Sequence, residues 1–327
     1  MSTHAMKSSP GTRGPFFCPT QGGTEEPSPC PTKQAGTAFP GISARRKMTN
    51  RAATIVVSAF FIIALVPLVS LLWTVASRGL ARFDLTFFTN SMRGVVGDGG
   101  GAIHAITGTA LITLAAVVIS VPVGLGTAVY LTEYGRGAMP KLIRFLTDVM
   151  TGIPSIVAGL FAYALIVIFV GPGARSGIAG AVALSLLMIP VVIKSSEEML
   201  LLVPGDLREA SIALGAPKYK TVTTVVLPTA MSGIVAGVML GICRIIGETA
   251  PLLLVAGFTD SMNRDLFSGR MATLPVYIYS QWQNKGANPA AYDNRAWTAA
   301  LVLIGLVLIF NLASRVVARF LAPHTSR

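Results

Sequence analysis

The chain has 327 residues, of which 52% are hydrophobic and only 12% charged, and its mean hydropathy is +0.66. Soluble domains carry about 25% charged residues, so a soluble globule is excluded. Disorder over the whole length is excluded too, because disordered chains are poor in apolar residues. What remains is a polytopic membrane protein.

The first 50 residues are rich in Pro, Gly, Ser and Thr and show no apolar periodicity. They read as a disordered cytoplasmic tail, residues 1–50, unable to bury a core. Met48 directly follows Arg45-Arg46-Lys47 and reads as an alternative translation start. Beyond the tail, no Asp, Glu, Lys or Arg occurs in 52–77, 99–132, 149–174, 176–193, 221–243 or 296–314. A helix crossing the hydrocarbon needs about 20 apolar residues. Six spans are therefore predicted, at 54–76, 106–131, 149–171, 177–193, 227–257 and 296–314. The runs are continuous rather than alternating, which argues against a β-barrel. The membrane domain then covers 51–320, with a C-terminal tail at 321–327. The short fourth span lies close behind the third, and the two are expected to form a tight hairpin.

Most of the 26 basic residues fall on one side if both termini are cytoplasmic, as the positive-inside rule requires. The net charge of +12 sits beside span ends, with no basic groove interleaved with aromatics, which argues against nucleic acid. Cys18, Cys30 and Cys243 show no metal-ligand spacing. His4, His104 and His324 form no cluster and read as solvated or interfacial. No metal or other cofactor is expected.

The loop 194–228 is long, cytoplasmic and helix-forming. Asp206 and Glu209 make a capping-box pattern, and Leu207, Ala210, Ser211 and Leu214 follow at helical spacing. Gly215 stands where a left-handed cap belongs, and Pro217 suits the start of a second helix. The narrow apolar stripe suits a lipid surface or a groove in a soluble partner.

In the fifth span, Arg244 and Glu248 are four residues apart, which places both on one helix face and lets them pair. A charge near mid-span costs roughly 2.5–3.5 kcal/mol on insertion scales and ordinarily faces a water-filled path or another charge. Gly247 and Pro251 interrupt the helix, and irregular backbone at membrane depth is tolerated where it lines a cavity. A guanidinium fork suits a tetrahedral oxyanion. Glu248 could accept a hydrogen bond from a protonated substrate oxygen, which phosphate has at neutral pH and sulfate lacks.

Glu209-Ala210-Ser211, Gly215 and Val225-Val226-Leu227-Pro228 match the EAA-loop pattern of ABC-importer permeases at every spacing, with Ser211 for the second Ala and Val225 for the Ile. Residues 244–253, with Gly247-Glu248-Thr249-Ala250-Pro251, resemble the signature of the PstA-type permeases of phosphate-specific ABC transporters. So do residues 152–161 and 189–200. The resemblance covers about 54–320 and implies an all-α, type I (MetI-like) ABC-importer permease fold. It implies a phosphate importer in which Glu209, Ala210, Ser211 and Gly215 couple to an ATP-binding subunit, with Arg208 and Glu209 pairing across that interface. Arg244, Glu248 and Lys194 would lie on the substrate pathway. Many relatives carry Arg at the position of Lys194, so a direct anion contact there is open, and orienting the span is the other reading.

The implied partners are a homologous second permease (PstC-type), two ATP-binding subunits (PstB-type), an extracytoplasmic phosphate-binding protein (PstS-type) and membrane lipid. The chain has no G-x-x-x-x-G-K-[ST] loop, so it is not itself the ATPase, and ATP would be bound by a partner. Three other functions compete. A sulfate or molybdate permease would share the EAA loop but not the segments at 244–253 and 152–161. An intramembrane enzyme would need a nucleophile and base inside the spans. A scaffold would have no use for Arg244.

Overall fold

The computed structural model describes residues 44–95, 97–171, 173–286 and 288–321. Almost all of it is helical, and among the described residues there is no strand. The tail residues 1–43, with Cys18, Cys30 and His4, and the segment 322–327 with His324, lie outside the described residues.

Two compact units divide the chain, 1–65 and 66–327. In the first, residues 44–65 are helical, so the N-terminal tail expected from composition is helical from Ala44 onward. Its side chains, Ile55, Phe60 and Phe61 among them, are exposed. The helix, α1, runs Ala44–Gly79.

Within the second unit, a 3-10 turn follows α1. Then come α2 (Leu85–Thr89), α3 (Ile103–Val129) and a π-helical turn, Tyr130–Tyr134. The third predicted span is two helices, α4 (Met139–Gly152) and α5 (Ser155–Val170), bent by 109°. Pro154 is the cause. Its ring bars the preceding residue from helical geometry, and Ile153 is extended. The expected span 149–171 is thus corrected. Residues 149–152 finish α4, an amphipathic helix, and the chain changes direction at Pro154 before α5 begins.

The fourth span, α6 (Gly177–Leu201), has 25 residues and extends eight residues past the predicted end. Residues 194–201, expected in the cytoplasmic loop, are helical. Ser176 caps α6, its side chain accepting the Ala179 N–H. Helices α5 and α6 pack against each other across a short connection, as the predicted hairpin requires. The chain continues through α7 (Gly205–Ala213), α8 (Lys218–Thr221) and α9 (Leu227–Ile246). It ends with α10 (Ala250–Val255), α11 (Leu274–Gln283) and α12 (Pro289–Leu321). Pro140, Pro251 and Pro275 sit in the first turns of α4, α10 and α11, where a missing N–H costs nothing, and Pro228 directly follows the π-helical turn Val222–Val226 within one continuous helical stretch. Among the described residues five helices are long and apolar enough to cross a membrane, or six if the bent pair α4–α5 is counted as one span.

The bundle is built around α6. Its Ala181, Leu184, Met188 and Val192 bury against α3, α9 and α10. Lipid tails are as apolar as Leu, so helices in a membrane associate through close packing rather than water exclusion, and small residues permit it. Gly124 of α3 is such a residue, because a Cβ there would lie 2.7 Å from Val192. Gly233 and Gly237 bring α9 onto Met199 and Ser195 of α6. His104 corrects the expectation of a solvated histidine: it is buried, 5.4 Å and edge-on from the Tyr277 ring.

Candidate functional site

The segment between α6 and α9 forms a compact element with one free face. Helix α7 begins at Gly205, after Pro204, and Asp206 lies in its first turn without accepting a capping bond. The predicted capping box is therefore replaced by a proline-initiated turn, in which Asp206 acts only through the favourable charge at a helix start. The C-terminal prediction holds. Gly215 has φ +80°, its N–H donates to Ile212, and the Ala216 N–H donates to Ser211. That bond pair is a Schellman motif, which closes the open carbonyls and turns the chain. Ser211 and Thr221 hydroxyls lie 2.9 Å apart and tie α7 to α8. On the other face, Leu207, Glu209, Ala210 and Ile212 are exposed, and Leu214 is 89% exposed.

Arg208 does not lie on that free face, so its expected pairing with Glu209 across an interface is corrected. It turns back into the chain. Its Nε donates to Glu133 Oε1 at 3.0 Å, Nη1 to the Val203 carbonyl at 2.7 Å and Nη2 to the Leu200 carbonyl at 2.8 Å. An arginine of the next helix thus adds a bond to the Leu200 carbonyl in the last turn of α6 and satisfies the Val203 carbonyl just beyond it.

Arg244 is in the last turn of α9 and exposed on the surface of the chain. The helix stops at Ile246, and the Glu248 N–H donates to the Ile245 carbonyl at 3.2 Å. Glu248 therefore lies in the break between α9 and α10, and the helical i,i+4 relation to Arg244 does not exist. The ion pairs found among the described residues do not include Arg244 with Glu248. The fifth span likewise ends at Ile246 rather than at 257, and it starts at Lys218, running through a second π-helical turn, Val222–Val226, without a break.

The break is held firmly. Leu252 and Val255 of α10 are buried, and Gly159 of α5 packs on Pro251 so closely that a Cβ would stand 2.7 Å from the Pro251 Cα. Two sequence signatures far apart in the chain, 152–161 and 244–253, thus meet. Beyond the break, Thr249 lines an open groove of about 400 Å³ with Tyr279, Trp282 and Trp297.

Lys194 is elsewhere. Its Nζ pairs with Asp148 of α4 at 2.8 Å and lies 3.4 Å from the Thr151 hydroxyl. The neighbouring Ser195 faces Gly237, which puts Lys194 about two helical turns, ~10 Å along the axis, from Arg244.

Two residues escape a reading of the sequence alone. Glu133 immediately follows a charge-free run, but nothing marks its partner Arg208, 75 residues on. Arg295 immediately precedes another such run and is fully buried. It donates to the Gln281 side chain at 2.9 Å and to the Gly97 and Gly99 carbonyls at 2.6 and 3.1 Å. Nearby Asp260 is raised above the ordinary carboxylate range by burial, against the pull of Arg295.

Residues 120–327 match the family described as the binding-protein-dependent transport system inner membrane component. Among solved structures, a chain of a bacterial alginate ABC transporter superposes with TM-score 0.56 at 12% identity, covering 83% of this chain and 93% of that one. A chain of the MetNI methionine ABC transporter superposes with TM-score 0.52 at 23% identity, covering 68% and 95%. Both likenesses concern the fold. The bundle is that of an inner-membrane permease of a binding-protein-dependent, ABC-type transport system.

The relatives narrow this class. Phosphate transport system permease protein PstA 1 of Mycobacterium tuberculosis is 46% identical over 292 residues, 88% of this chain and 93% of that protein. PstA of Yersinia pestis is 38% identical over 273 residues, 83% and 90%. The chain belongs to the PstA family of phosphate transport system permeases.

Proposed function

We propose that this chain and a homologous PstC-type permease enclose the anion pathway of an ATP-driven importer of inorganic phosphate in a bacterial or archaeal cell membrane, with both termini cytoplasmic. A PstS-type protein delivers phosphate at the outer face. Two PstB-type subunits bind and hydrolyse ATP, so the chain needs no cofactor of its own. One of them receives Glu209, Ala210 and the apolar pair Leu207 and Leu214, while Ser211 and Gly215 hold that helix in shape.

The observation that carries this reading is Arg244. A guanidinium near the end of a membrane-length helix stands on the surface of the chain, with no carboxylate paired to it among the described residues. Its fork of donors matches a tetrahedral oxyanion. Glu248, released from the helix by the break, is free to approach the same anion as an acceptor. A carboxylate accepts a proton-bearing phosphate oxygen and repels fully ionised sulfate, which is a basis for selectivity. Lys194 acts on the pathway indirectly, by holding α4 against α6.

The test is radiolabelled phosphate uptake in cells lacking the chain. Wild type restores uptake. Arg244→Gln, expressed and assembled to the same level, loses it by roughly ten- to a hundredfold, as expected for removal of charge-assisted hydrogen bonds. Sulfate and molybdate are measured alongside, and rescue of either in preference to phosphate would overturn the assignment of cargo.

A further inference from the structure

We propose that Glu133 is a positioning residue for energy coupling: it fastens Arg208 so that α7 moves as one body with the adjoining ends of α3 and α6. The inference rests on the reading of α7 as the docking helix of an importer.

Glu133 belongs to the π-helical turn that ends α3, closed by the Gly135 N–H donating to the Tyr130 carbonyl at 2.6 Å. Its side chain is 8% exposed and that of Arg208 24%. Arg208 directs its Nε to this carboxylate while its two terminal nitrogens hold the Leu200 and Val203 carbonyls at the end of α6. The planar fork fixes these three directions together, which a lysine ammonium does not. From the other side, Lys218 donates its Nζ to the Glu133 carbonyl and stands 5.1 Å from the Tyr134 ring centroid. Lys218 opens the stretch that continues into α9. One residue in the turn after α3 therefore holds α7 through Arg208 and α8 through Lys218, and through Arg208 it reaches the end of α6.

The consequence is mechanical. A push on the free face of α7 reaches α6 through Arg208 and α8 through Ser211 and Thr221, and α8 continues into α9. It reaches α3 through Glu133. Removing one partner from a shielded ion pair leaves the other uncompensated, so Arg208 would be drawn toward water and the route to α3 would slacken. The carbonyl bonds of Arg208 and the Schellman turn remain to keep α7 folded.

The experiment uses the complete assembly, purified and reconstituted in liposomes, with Glu133→Gln, which preserves size and removes the charge. The readout is phosphate transported per ATP hydrolysed under stimulation by the binding protein. The ratio is expected to fall about tenfold, the scale of one lost charge-assisted hydrogen bond, with hydrolysis falling less than transport. A ratio equal to wild type, whether both rates drop together or neither drops, would overturn the proposal and leave Glu133 a purely structural residue. Should Glu133→Gln not assemble, Arg208→Lys retains the charge but loses the fork, and the same ratio decides. Were the wild-type assembly to carry another oxyanion, the ratio taken with that anion would still judge Glu133, so failure of the cargo assignment is separable.

Discussion

Arg244 and Lys194 are both basic residues on membrane-spanning helices, yet their surroundings assign them opposite roles. Arg244 meets no carboxylate of the described residues, whereas Lys194 is taken by Asp148 and Thr151. Half-exposed ion pairs contribute about 0–1 kcal/mol. Lys194→Gln is therefore expected to leave phosphate uptake within roughly fivefold of wild type, far from the loss expected of Arg244→Gln in the same assay. Glu248→Gln should admit sulfate more readily. If competition by sulfate is unchanged in that variant, Glu248 has no part in selectivity. Gly215 is a residue whose backbone alone matters: a Cβ added there would meet open space, but φ is +80°. A non-glycine residue in that conformation costs about 1–2 kcal/mol, so Gly215→Ala should loosen α7 and weaken binding of the ATP-binding subunit, measurable by co-purification.

Helices meet where side chains are smallest, and that makes packing at the broken span testable. At Gly159 the obstacle to a Cβ is the Pro251 backbone, which cannot swing aside. Overpacking of this kind costs typically 1–3 kcal/mol. Gly159→Val is expected to lower the thermal unfolding temperature of the purified assembly by several degrees, while Gly152→Ala, with open space around it, should not. The same elements explain what hydropathy could not reveal. A charge-free run at 149–174 says that residues are apolar, but apolar residues also line a surface helix and a corner. Pro154 turned one run into two helices, and Gly247 separated Glu248 from the face it was expected to share with Arg244.

For the molecule as a whole, the proposed docking requires the exposed surface of α7 to stand clear of the membrane and to be covered in the assembly. Leu214→Cys should react with a membrane-impermeant thiol reagent in inverted vesicles of cells lacking the ATP-binding subunits, and be protected when those subunits are bound. Labelling from the outer face instead would reverse the proposed orientation. The five or six apolar spans and the glycine-capped helix α7 were legible in the sequence for one reason. Both depend on local chemistry: hydrocarbon thickness dictates the length of apolar runs, and a glycine past a helix end dictates the turn. The bend of 109°, the end of α9 at Ile246 and the inward turn of Arg208 were decided by tertiary structure. Each depends on what lies against the residue in space, and the decisive neighbours are far away in the chain. Pro251 is held by Gly159, Lys194 by Asp148, and Arg208 by a carboxylate 75 residues before it. No spacing rule spans such distances, because only packing brings those groups together.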